Sequence, residues 1–195
     1  MTPKPIPELA AAALAVMSAL DDAAIPACVI GALAVHRWGQ PRATSDADFS
    51  ALASYGREGP VFQALLGPFE PRRPDAEAFA RANRVLLLRT SGGVEIDVAL
   101  AAFPFEIEAI EMASSWEIVE GLPLRTCSAE HLIVYKLVAA RTHDLGDMES
   151  IVRRQGERLD VERVRRWGRE FADLKEDPDL LRPFERILSA VLDGR

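Results

Sequence analysis

Cysteine is scarce in this chain, and that scarcity excludes two kinds of chemistry. Cys28 and Cys127 are the only two in 195 residues, they stand far apart, and no Cys-x-x-Cys or zinc-ligand spacing involves them. Each has apolar neighbours, so buried free thiols are expected rather than a disulfide, the usage of a reducing cytoplasm. A membrane-spanning run is missing as well. The alanine-rich stretch from Leu9 to Leu20 is too short to cross a bilayer. With Lys4, two prolines and Glu8 before it, the stretch does not have the basic start of a secretory signal. Excess positive charge is absent too: the formal net charge is −7, so the whole molecule does not attract nucleic acid by charge alone, although local basic patches remain. There is no internal repeat and no low-complexity segment. What is left, at 49% hydrophobic and 27% charged residues, is an ordinary globular composition of a length suited to one domain, or to a small core with a helical appendage.

One stretch, Cys28 to Leu52, carries the chemistry. A short apolar run, Ala27 to Ile30, ends at Gly31; a compact amphipathic segment from Ala32 to Trp38 follows, closed by Gly39 and Pro41. Arg42, Thr44, Asp46 and Asp48 then alternate into Phe49. On a strand over 45–52, successive side chains point to opposite faces, so Asp46 and Asp48 share one face while Ala47 and Phe49 enter the core. Two carboxylates at that spacing repel unless a cation lies between them, which points to a divalent metal with oxygen ligands. A third acid, Asp97, lies on the apolar pattern Val94-Glu95-Ile96-Asp97-Val98, facing away from the core. Such a trio holding two metals is the arrangement used for phosphoryl and nucleotidyl transfer. Glu95 is either a fourth acid or a solvated edge carboxylate. Gly31, opening a helix, offers backbone N–H groups and a helix dipole to phosphate, or is a plain strand–helix turn.

The remaining elements follow from caps, breakers and periodicity. A helix is expected from Glu8 to about Leu20, a short one from Val61 to Leu66, and another from Asp75 to about Arg81. Pro68 to Pro74, with Arg72 and Arg73, reads as an exposed basic turn, solvated or touching a polyanion. Strands Val85–Leu88 and Val94–Leu100 flank the hairpin signal Ser91-Gly92-Gly93. Helix is expected over Phe103–Met112, and Trp116–Val119 with Leu122–Thr126 make a small hairpin. Ser128 caps a helix bearing Lys136 and Arg141. Helices over Asp144–Gln155 and Asp160–Asp173 and one starting at Pro178 or Pro183 complete the chain. Arg163, Arg165, Arg166 and Arg169, offset by Glu157, Asp160, Glu162 and Glu170, form a charged surface helix or a nucleic-acid face, with Arg153 and Arg154 before them.

Gly31-Ala32, Asp46-x-Asp48 and the distant Asp97 together resemble the nucleotidyltransferase superfamily of DNA polymerase β type. The fuller run Arg42-x-Thr44-x-Asp46-x-Asp48, with Lys136-x-x-x-x-Arg141-x-x-Asp144 downstream, resembles its AbiEii-type toxin branch and short relatives. The resemblance covers about residues 28 to 150. Ala32 stands where the family usually has Gly or Ser, and His143 where those relatives often carry Lys. The resemblance implies an α/β (α+β) fold, a small mixed sheet with flanking helices over 1–127 and a helical portion over 128–195 packed on that core. It implies Mg²⁺ or Mn²⁺ on Asp46, Asp48 and Asp97, with Asp97 also the general base. Gly31, Ala32, Thr44, Lys136 and Arg141 then contact a nucleoside triphosphate, Thr44 alternatively orienting an Asp and Arg42 packing structurally. The activity implied is transfer of a nucleoside monophosphate to an acceptor hydroxyl on a transfer RNA, a protein or an antibiotic. A toxin–antitoxin role with a cognate antitoxin, in the cytoplasm and with no membrane partner, goes with it. The alternative is a weak or inactive scaffold that has kept the acids.

Overall fold

Proline placement and apolar spacing set the first element of the computed structural model, which describes residues 5–193. Pro7 sits in the first turn of α1 (Ile6–Asp22), where its missing N–H has no helical acceptor to lose. Leu9, Ala13, Val16 and Leu20 recur at helical spacing and are fully buried. The chain continues through β1 (Ala27–Ile30), α2 (Gly31–Trp38), β2 (Asp46–Leu52), α3 (Gly59–Leu65), β3 (Glu70–Pro71), α4 (Ala76–Asn83) and β4 (Val85–Arg89). Next come β5 (Glu95–Ala101), α5 (Pro104–Glu111), β6 (Ser114–Val119) and β7 (Leu122–Thr126). The helices α6 (Ala129–Ala139), α7 (Asp144–Gln155), α8 (Val161–Leu174) and α9 (Arg182–Asp193) follow. Lys4 lies outside the described residues. No helix among the described residues is long and apolar enough to cross a membrane.

Seven strands form one mixed sheet in the order β3-β4-β5-β2-β1-β7-β6. β2 runs parallel to β5, and β1 parallel to β7; the other neighbours are antiparallel. Alternation along β2 and β5 decides the two faces. Ala47, Phe49 and Ala51, with Ile96, Val98 and Leu100, are buried in one core with Leu9, Val16 and Leu20 of α1. Each large side chain buried this way contributes about 1.5–3 kcal/mol. The opposite face carries Asp46, Asp48, Glu95 and Asp97, and only part of it is covered. Cys28 and its cross-strand partner Ser50 are fully buried there, and the Cys28 thiol donates to the Ala109 carbonyl of α5 at 3.8 Å. α5 therefore covers the far end of β2, leaving the acids at its start. Burial pushes the Cys28 thiol up to about 12, with the Arg125 charge pulling slightly the other way, so it stays protonated near neutrality. Cys127 is also free and buried.

The chain divides into two compact units. One holds the sheet and comprises residues through Ala34 with Ala43–Cys127; the other comprises Val35–Arg42 and the residues from Ser128 on. In the second unit α6 packs on α7 and α8, and α7 packs on α9. Arg154 donates to the carbonyls of His36 (3.3 Å) and Gly39 (2.7 Å), and Gln155 to that of Trp38 (2.8 Å). These bonds satisfy carbonyls at the end of α2 that have no helical partner. Ser128 caps α6 as expected, accepting from the His131 N–H. The helix ends at Ala139 because Ala140 turns left-handed, φ 51°, so Arg141 lies beyond the helix and not on it.

Candidate active site

The register of two neighbouring strands builds the site. Asp48 lies directly opposite Asp97, and Asp46 opposite Glu95, on the parallel pair β2 and β5. All four carboxylates therefore share one face at the starts of both strands. β5 lies between β4 and β2, so Glu95 is on an interior strand and the expected edge position is corrected. Ile30, the last residue of β1, pairs with Asp48, and α2 begins at the next residue. The turn there demands glycine twice over. Gly31 has φ +63°, and a Cβ on it would overlap the Asp48 carboxylate. Ala32 is buried in the first turn of α2, and Thr44, also buried, donates its hydroxyl to Asp46 Oδ1.

Arg72 is the residue that sequence reasoning missed. Pro68–Pro74 was expected as an exposed basic turn; instead the Arg72 N–H donates to the Leu87 carbonyl at 3.0 Å, continuing the β3–β4 pairing. Leu87 is the partner of Asp97 on β4, so Asp48, Asp97 and Leu87 form one row across three strands, which Arg72, the residue after β3, extends. The Arg72 guanidinium bridges Glu95 and Asp97. Its Nε is buried with no acceptor. No local pattern signals this contact, because it joins an irregular segment to a strand more than twenty residues later.

Oxygen-only donors in this register suit a hard divalent cation such as Mg²⁺ or Mn²⁺, and the missing Cβ of Gly31 is what lets the Asp48 carboxylate lie against the β1–α2 turn. As the side chains stand, no group of three acidic, histidine or cysteine side chains among the described residues is already gathered to hold a metal. Asp97 is turned to Arg72 instead.

Lys136 and Arg141 belong to the second unit. The Lys136 ammonium is buried between Asp144 Oδ1 (3.1 Å) and Asp147 Oδ2 (2.6 Å). Asp147 also receives Arg42, whose Nε lies 2.9 Å from Oδ1 and whose Nη2 lies 3.1 Å from Oδ2. Burial raises the Asp147 pKa, but its bonds to Arg42 and Lys136 outweigh this and hold the carboxyl below the usual range. The Arg141 N–H caps Asp144 Oδ2 at 2.9 Å while its side chain is exposed. Arg42 thus makes a structural ion pair, in line with the packing role expected for it. His143 precedes α7 with an exposed ring.

This arrangement of mixed sheet and helices is a nucleotidyltransferase-like fold. The solution structure of the antibiotic-resistance factor ANT(2'')-Ia aligns with a TM-score of 0.56 at 16% identity, over 83% of this chain and 92% of that one. The crystal structure of the same factor in complex with adenylyl-2''-tobramycin aligns at 0.55 and 16% identity, over 83% and 98%. An antigenic nucleotidyltransferase-like protein from Paracoccidioides brasiliensis aligns at 0.50 and 17% identity, over 90% and 94%. No family model matches the sequence, and no curated protein matches it either.

Proposed function

We propose that this chain is a metal-dependent nucleotidyltransferase that moves a nucleoside monophosphate from a nucleoside triphosphate to an acceptor hydroxyl. The observation that carries the reading is the register: Asp48 opposite Asp97, with Asp46 on the same face, where β1 gives way to α2. The reaction joins the acceptor oxygen to the α-phosphorus, breaks the bond from that phosphorus to pyrophosphate, and releases one proton. A bound Mg²⁺ or Mn²⁺ supplies positive charge against the triphosphate and polarises its phosphorus–oxygen bonds. Asp46 and Asp48 hold it, and Thr44 keeps Asp46 oriented. Asp97 completes the carboxylate set and takes the proton from the acceptor hydroxyl. The N–H groups of Gly31 and Ala32 donate to phosphate oxygens. Lys136 already has two carboxylate partners, and we assign it to holding Arg42, two residues before Thr44.

The run Arg42-x-Thr44-x-Asp46-x-Asp48 supports the AbiEii-like branch, with a transfer RNA acceptor and a cognate antitoxin. The adenylylated tobramycin held by a protein of like fold supports a small-molecule hydroxyl instead, and the arginines favour that second acceptor. Arg153 pairs with Glu149, Arg154 donates to backbone carbonyls, and Arg165 pairs with Glu162 and Glu185. A non-catalytic binding protein is the rival reading, favoured by Arg72 occupying Asp97. Calorimetry with ATP, CTP, GTP and UTP, with and without Mg²⁺, separates the two. At least one is expected to bind with Mg²⁺ and to be lost in the Asp46→Asn, Asp48→Asn double variant; binding of none supports the scaffold.

A further inference from the structure

We propose that Arg72 is an internal counter-ion that a divalent cation has to displace from Asp97, so that Arg72 sets how readily the acid face loads with metal. This rests on the metal-dependent reading above. Like charges directly opposite each other on neighbouring strands destabilise a sheet, and strands lie only about 4.8 Å apart. Asp48 and Asp97 are such a pair, with Asp46 and Glu95 in the next row. The Arg72 guanidinium bridges Glu95 and Asp97 on this face, so the protein supplies a positive charge of its own to the cluster. The planar fork of an arginine is suited to two carboxylates at once, which a lysine cannot match.

The contact has the marks of one built to exchange. Asp97 keeps 36% of its side chain exposed against 23% for Glu95, so an ion from solvent meets Asp97 first. The Arg72 Nε is buried with no acceptor, so the bridged arrangement does not satisfy the guanidinium. Once Asp97 turns to a cation, Glu95 alone retains Arg72, and the freed N–H groups face the side where the triphosphate phosphates are proposed to lie. Glu95 is then the anchor that keeps the arginine on the face.

Direct Mn²⁺ binding without nucleotide, followed by the paramagnetic signal of the free ion, tests this. Arg72→Gln is expected to bind Mn²⁺ about tenfold more tightly than the parent. Arg89→Gln is the control: Arg89 pairs with Glu95 across β4 and β5, so it removes the same charge from the same face without touching Asp97. It is expected to change Mn²⁺ binding by less than about threefold. Equal gains from both variants, or no gain from Arg72→Gln, overturn the counter-ion role while leaving the metal site standing. No Mn²⁺ binding by parent or variant overturns both. Should Arg72→Gln not fold, Arg72→Lys keeps the charge and loses the fork, and a gain of about threefold is expected; no gain overturns the proposal.

Discussion

At the scale of single residues, Gly31 is the position where backbone and chemistry meet. Its φ of +63° costs any other residue strain, and a Cβ there overlaps the Asp48 carboxylate. Gly31→Ala is expected to destabilise the protein by about 1–3 kcal/mol and to abolish Mn²⁺ binding, read by thermal melting and by metal titration. A stable variant that binds Mn²⁺ like the parent removes Gly31 from the site. The positions of Asp46, Asp48 and Asp97 were legible because a strand's period of two is written in adjacent residues. Arg72 was not: its partners lie on another strand, reached across β4, and nothing around Pro71 and Pro74 encodes that distance. Lys136 was hidden differently. Its neighbours on α6 are apolar, which reads as a snorkelling cation, and only the fold brings Asp144 and Asp147 to it.

At the scale of elements, the strands and helices of the first unit were mostly readable from turn residues and periodicity. The β4–β5 hairpin follows from Ser91-Gly92-Gly93. The parallel pairing of β2 with β5 was not readable, since α3, β3, α4 and β4 intervene and local sequence says nothing about which strand lies beside which. The packing of α6 on α7 rests in part on the buried Lys136–Asp144–Asp147–Arg42 network. Lys136→Ala leaves two buried carboxylates short of a cation and is expected to cost about 3–5 kcal/mol in urea unfolding. A loss below about 1 kcal/mol would mean that the network is not structural. Because the Asp147 carboxyl is held below its unfolded value, its contribution is complete above about pH 4 and disappears as pH falls through the lowered folded value. Asp147→Asn is therefore expected to flatten the acid side of the stability profile, measured by melting temperature against pH. An unchanged acid slope contradicts that assignment.

At the scale of the whole molecule, the net charge of −7 and the internally paired arginines of α7 and α8 work against unspecific binding of polyanions, which depends on local positive charge and weakens steeply with salt. The proposed transfer therefore depends on chemistry at one sheet face and not on an electrostatic surface. It is tested most directly by supplying the protein with Mg²⁺, a cell lysate as acceptor source, and triphosphates labelled either at the α- or at the γ-phosphate, then sizing the labelled products. Label from the α-phosphate is expected on an acceptor, on a small molecule ahead of RNA, with the γ-label leaving as pyrophosphate. Asp97→Ala should slow the transfer by at least about a hundredfold. Label from the γ-phosphate on the acceptor, or α-label transferred equally well by Asp97→Ala, would contradict nucleotidyl transfer at this face.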